Sequence, residues 1–71
     1  MSYTTAYKID GVFSGHCRAI VTKALQELEG VTEVHFDLAV GQAEVTSRTA
    51  PDERAVAAKV EDAGYDFLGR A

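Results

Sequence analysis

Hydrophobic and polar positions along this chain change period several times, and each change marks a boundary between elements. Thr5, Tyr7 and Ile9 alternate with Ala6, Lys8 and Asp10, which predicts a first strand running to Gly11. From about Gly15 to Glu29 the period lengthens to that of a helix. Ile20, Val21, Ala24, Leu25 and Leu28 form one apolar stripe, with Arg18, Thr22, Lys23, Gln26 and Glu27 largely opposite. Gly30 reads as the left-handed stop of that helix. Val34, Phe36 and Leu38 then alternate with Glu33, His35 and Asp37, so a second strand with one buried face follows. Ala39-Val40-Gly41-Gln42 reads as a hairpin turn. The return strand points Ala43 and Val45 inward against Gln42, Glu44 and Thr46, and stops near Ser47-Arg48.

Thr49-Ala50-Pro51-Asp52 resembles a helix start, because Pro is tolerated in a first turn and Thr49 stands at capping-box spacing from Asp52. The second helix, about Pro51 to Ala63, buries Val56, Val60 and Ala63; Gly64 ends it, and Tyr65-Asp66-Phe67-Leu68 makes a last short strand. The order βαββαβ predicts an α+β, ferredoxin-like sandwich, with one antiparallel four-stranded sheet and both helices on one face. In that arrangement the loop after the first strand and the loop before the last emerge at the same edge, which brings Gly11 to Cys17 near Gly64-Tyr65.

Length and charge narrow the function classes. A chain of 71 residues is one domain, 1–71, small enough that folding removes only roughly 60% of the unfolded surface from water. The net charge of −4 and seven scattered basic residues argue against nucleic acid as a partner, since phosphate backbones are held by clustered Lys and Arg. Met1 to Lys8 lack the basic and apolar regions of a signal peptide, and no run is long enough to cross a bilayer, so neither export nor membrane insertion is expected. With Cys17 as the only cysteine there is no internal disulfide, and a reducing cytoplasm suits the free thiol.

Candidate chemistry concentrates in Gly11-Val12-Phe13-Ser14-Gly15-His16-Cys17. In the first turn of a helix, backbone N–H groups and the helix dipole favour the Cys17 thiolate; a free cysteine can equally serve as a small buried hydrophobe. Ser14 fits a helix N-cap. His16 is either a solvated loop residue or an imidazole donor to a metal. His35, between Glu33 and Asp37 on a strand, reads as surface.

Gly11 before a loop, Gly15-His16-Cys17, Leu28-Glu29-Gly30-Val31, Phe36-Asp37-Leu38-Ala39 and Glu61-Asp62-Ala63-Gly64-Tyr65 occur in the order and spacing of one known family. On these residues the chain resembles the heavy-metal-associated domain family, in particular its small bacterial copper chaperones, over nearly its whole length. The family's loop reads Gly-Met-x-Cys-Gly-His-Cys; here Val12 stands in place of Met and Ser14 in place of the first ligand cysteine. The resemblance implies a cytoplasmic carrier of Cu(I), with Zn(II) or another soft metal as an alternative. It would pass its cargo to a copper-transporting P-type ATPase or a related metal-binding domain.

Cu(I) accepts a near-linear pair of soft thiolates, and the hard, neutral serine hydroxyl is no substitute. The ligand set this implies is Cys17 with His16, or with an outside sulfur from a small thiol, a partner's cysteine or a second Cys17 across a metal-bridged homodimer. Tyr65 matches a family position that faces the loop; packing on the sheet edge is its other reading. Val12 is expected beneath the loop and Phe13 exposed.

Two further readings stand beside the carrier: a domain that has lost metal handling and serves as an interaction module, or an engineered replacement of a ligand cysteine by Ser14. An enzyme is not expected. Acylphosphatases of ferredoxin-like fold pair a loop arginine with an asparagine, and this chain has no Asn.

Overall fold

In the computed structural model, which covers residues 1–71, the alternation around Tyr7 forms strand β1 (Tyr3–Asp10), with Tyr7 and Ile9 buried and Lys8 and Asp10 exposed. Helix α1 (Gly15–Gln26) follows, then β2 (Val31–Asp37), β3 (Gln42–Ser47), helix α2 (Glu53–Asp62) and β4 (Asp66–Arg70). The sheet order is β2-β3-β1-β4, and every neighbouring pair is antiparallel. This is the ferredoxin-like βαββαβ arrangement expected from the pattern. Its core lies between sheet and helices, where Tyr7, Ile9, Phe36 and Val45 from the strands meet Val21, Leu25, Val56 and Val60 from the helices. Neither helix is long and apolar enough to cross a membrane.

Several local expectations need correction. The first helix ends at Gln26, not Glu29, with Glu27 as its C-cap. Beyond it, Leu28 N–H bonds Leu25 C=O and Val31 N–H bonds Leu28 C=O, both at 3.2 Å. These short-span bonds tighten the chain so that Leu28 packs on the core and the backbone turns into β2. Gly30 is therefore not the helix stop; it sits in this joint with φ +85°, where a Cβ would lie 2.8 Å from Thr49 Oγ1. Only glycine suits both constraints.

Ile20 is not part of the buried stripe: it is 37% exposed, whereas Cys17 packs against the core. At 100° per residue, Cys17, Val21, Ala24 and Leu28 centre the stripe and Ile20 falls on its margin.

The second helix starts at Glu53 rather than Pro51, because its N-cap is Asp52, not Thr49. The Asp52 carboxylate accepts from Arg54 N–H at 3.1 Å and Ala55 N–H at 3.4 Å. Thr49 instead offers its carbonyl to the Ser47 hydroxyl at 2.7 Å. At the far end α2 stops at Asp62, where Gly64 N–H bonds Glu61 C=O and Tyr65 N–H bonds Val60 C=O, a Schellman closure. The last strand spans Asp66–Arg70, shifted past Tyr65 because that residue is held in the helix closure.

Candidate metal-binding loop

Gly11 to Ser14 connect β1 to α1, and Ala63 to Tyr65 connect α2 to β4. The antiparallel topology brings the two segments to one edge, as expected. Gly11 has φ +93°, and a Cβ there would lie 3.5 Å from Tyr65 Cδ1, so the loop backbone runs directly over the tyrosine ring. Val12 is 5% exposed and belongs to the core, anchoring the loop from below, while Phe13 is 85% exposed.

Ser14 is the N-cap of α1, with extended backbone, φ −139° and ψ 165°. Its carbonyl accepts from Arg18 N–H at 2.9 Å, and its Oγ accepts from Cys17 N–H at 3.2 Å. An N-cap side chain reaches the N–H of the second or third helical residue. Cys17 is the third, so capping alone places the hydroxyl beside the thiol. The nearby Ser14 hydroxyl favours the Cys17 thiolate most, the Tyr65 hydroxyl does so from the other segment, and the Phe13 and Ser14 backbone adds to both; together they outweigh desolvation and hold the thiol below its ordinary value. The nearness of Cys17, followed by desolvation, pushes the Tyr65 phenol up. Tyr65 packs its ring against the core, with its hydroxyl near the thiol.

Ser14, Cys17 and Tyr65 are brought together; His16 is not. Its side chain is exposed on the first turn of α1, and no group of three or more His, Cys, Asp and Glu side chains is arranged to hold a metal ion. His35 is exposed on β2 opposite Glu44, at the surface as expected. The sequence reading missed that Ser14 acts on the thiol as well as on the helix. Its signal was present as Ser-x-x-Cys, the cap-to-third-residue spacing. The donor set within the chain is one half-buried soft sulfur, hard oxygens around it and an open solvent side.

The heavy-metal-associated domain model matches residues 6–66. The copper chaperone CopZ of Staphylococcus aureus (strain bovine RF122 / ET3-1) is 36% identical over 63 residues, which is 84% of this chain and 90% of the relative. Among solved structures, a CopZ metallochaperone superposes with a TM-score of 0.86 at 28% identity, covering 93% of this chain and 100% of its own. Oxidized MerP from Ralstonia metallidurans CH34 gives 0.86 at 27% identity, with 97% of each chain covered.

Proposed function

Because the chain belongs to the heavy-metal-associated domain family, we propose that this copper-chaperone-like domain is a cytoplasmic carrier that holds Cu(I) through the Cys17 thiolate and completes the coordination with a sulfur from another molecule. The observation that carries this reading is the one-thiol loop at the domain edge, where the Ser14 and Tyr65 hydroxyls lie near the sulfur and favour its charged, metal-binding form. Thiolate is the form that binds a soft monovalent ion. His16, exposed and on a different side of the helix start, is the weaker candidate for the second donor, because adjacent residues on a helix diverge by about 100°.

The outside sulfur can come from a small thiol, from Cys17 of a second copy in a metal-bridged homodimer, or from a cysteine of the recipient. A copper-transporting P-type ATPase, or a domain related to one, is the recipient that the chaperone relatives suggest. Transfer is then ligand exchange: one recipient thiolate takes the place of the outside sulfur, and a second displaces Cys17, which leaves the ion with the recipient. Phe13, exposed beside the thiol, supplies apolar surface on which the recipient can dock. With one built-in thiolate, affinity rises with added thiol and falls as pH drops through the Cys17 titration. Zn(II) is a poorer match, since it takes four donors and this loop offers one sulfur.

Titration of the reduced protein with Cu(I) against a competing chelator, with and without glutathione, tests this. The expected results are loss of binding in Cys17→Ala, little change in His16→Ala, and tighter thiol-independent binding in Ser14→Cys. Binding that survives Cys17→Ala would sink the carrier reading; loss in His16→Ala would replace the outside sulfur with the imidazole.

A further inference from the structure

The sheet order β2-β3-β1-β4 leaves β2 and β4 each with a free outer edge. Such an edge offers N–H and C=O groups to another strand unless the sequence blunts it. β4 is blunted: it has five residues, Gly69 at φ +95° breaks its extended course, and its register against β1 shifts between Tyr7 and Ile9. β2 keeps one register from Glu33 to Asp37 and contains neither Pro nor Lys.

The ladder fixes which backbone groups of β2 are free. Ile9 N–H donates to Gly41 C=O at 3.0 Å, one step beyond the Lys8–Gln42 pair. Backbone groups along an antiparallel strand turn alternately to its two neighbours. Ala43 and Val45 therefore bond β1, while Gln42, Glu44 and Thr46 face β2. Their partners Asp37, His35 and Glu33 turn their N–H and C=O inward to β3, and Val34 and Phe36 turn theirs outward.

This alternation limits how a second β2 can pair, because outward residues must meet outward residues. Setting Val34 opposite the partner's Val34 lets the two exchange a pair of N–H···O=C bonds. The same register sets Glu33 opposite the partner's His35, and His35 opposite the partner's Glu33, at the positions where facing side chains come closest. Glu33 and His35 are exposed, and neither belongs to the ion pairs Lys59–Glu27 and Arg70–Glu53. Sliding one strand by two residues puts Glu33 on the partner's Glu33 in one direction. In the other it puts His35 on the partner's His35 and Glu33 on the partner's Asp37. A further slide that way leaves only residues 35–37 overlapping. The charge pattern of this strand is complementary to itself in the register that also overlaps it most fully.

We propose that two copies of this chain associate through β2, antiparallel and twofold about Val34, into one continuous eight-stranded sheet. His35 then stands between Glu44 of its own β3 and the partner's Glu33. β1 and β2 run in the same direction, since both are antiparallel to β3, so each metal loop lies at the Asp37 end of its own β2. The two loops fall at opposite ends of the paired strands and cannot share an ion. This dimer is separate from a metal-bridged one and does not depend on the carrier reading. One strand pair buries less than about 1,200 Å², the range of weak, transient interfaces.

The test is sedimentation equilibrium of the reduced full chain with a metal chelator present, from about 20 µM to about 1 mM, where an interface of this size associates. A reversible dimer is expected, with amide exchange at Val34 and Phe36 slowing as concentration rises and exchange in β4 unchanged. Cys17→Ala should dimerise like the parent. His35→Glu, which sets like charges at both symmetry-related pairs, should weaken association about fivefold or more. Glu33→His combined with His35→Glu should restore it, because the exchange recreates both pairs, and restoration excludes lost folding as the cause of the single variant's defect. A monomer at every concentration, a dimer lost in Cys17→Ala, protection in β4 instead of β2, or no restoration by the exchange would each overturn the proposal.

Discussion

One serine oxygen serves two purposes at the loop. Ser14 caps α1 by accepting from Cys17 N–H, and the proton on the same oxygen is free to point at the Cys17 sulfur. The Tyr65 hydroxyl acts on the sulfur in the same direction from the other segment. The folded state therefore favours the thiolate at pH values where an unfolded cysteine still holds its proton, and that preference is lost as pH falls through the folded value. Alkylation of Cys17 by iodoacetamide, followed as a function of pH, should show a midpoint below the ordinary thiol value of 9.0. Both Ser14→Ala and Tyr65→Phe should move it up. Ser14→Ala should also cost about 0.5–2 kcal/mol in chemical denaturation through the lost cap, whereas Tyr65→Phe leaves the cap intact. Midpoints that stay put in both variants would show that the hydroxyls do not act on the sulfur.

At the scale of elements, the helix entries separate what spacing can suggest from what geometry selects. Thr49 and Asp52 are both good caps by composition. The chain chooses Asp52 because Ser47 holds the Thr49 carbonyl and Thr49 packs beside Gly30, which keeps residue 49 in the joint rather than at the helix. Asp52→Ala should destabilise the domain by roughly 1 kcal/mol, the usual worth of an N-cap, while Thr49→Ala should stay within about 0.5 kcal/mol. Urea melts of the two variants decide the assignment, and a larger loss in Thr49→Ala would reverse it. The α1 exit follows the same logic. The stripe from Cys17 to Leu28 keeps helical spacing through Leu28, yet the backbone leaves the helix at Glu27 because Leu28 must reach the core while Val31 starts an edge strand.

For the whole molecule, a chain of 71 residues has little core to spare, and net stabilities of small proteins are only about 5–15 kcal/mol. Tyr7 is the largest of its fully buried side chains, and burial raises its pKa above 10.0. In the unfolded chain this phenol ionises near its ordinary value, while in the folded protein it stays neutral. The stability it contributes is therefore complete below about pH 10 and declines as pH rises through the folded value. Denaturant midpoints measured from pH 8 to 11 should fall more steeply for the parent than for Tyr7→Phe; identical slopes would mean that the buried phenol does not carry the alkaline loss. Strand alternation, the two helical stripes and the spacing of the loop motif were enough to predict the fold, the shared edge of the two segments and the exposed Phe13, because periodicity and short-range spacing are properties of the linear chain. The Ser14 and Tyr65 contacts on one sulfur, the separation of His16 from it and the capping choice of Asp52 came only with the tertiary structure. Each depends on the distance between side chains brought together by packing, and no one-dimensional pattern encodes that distance.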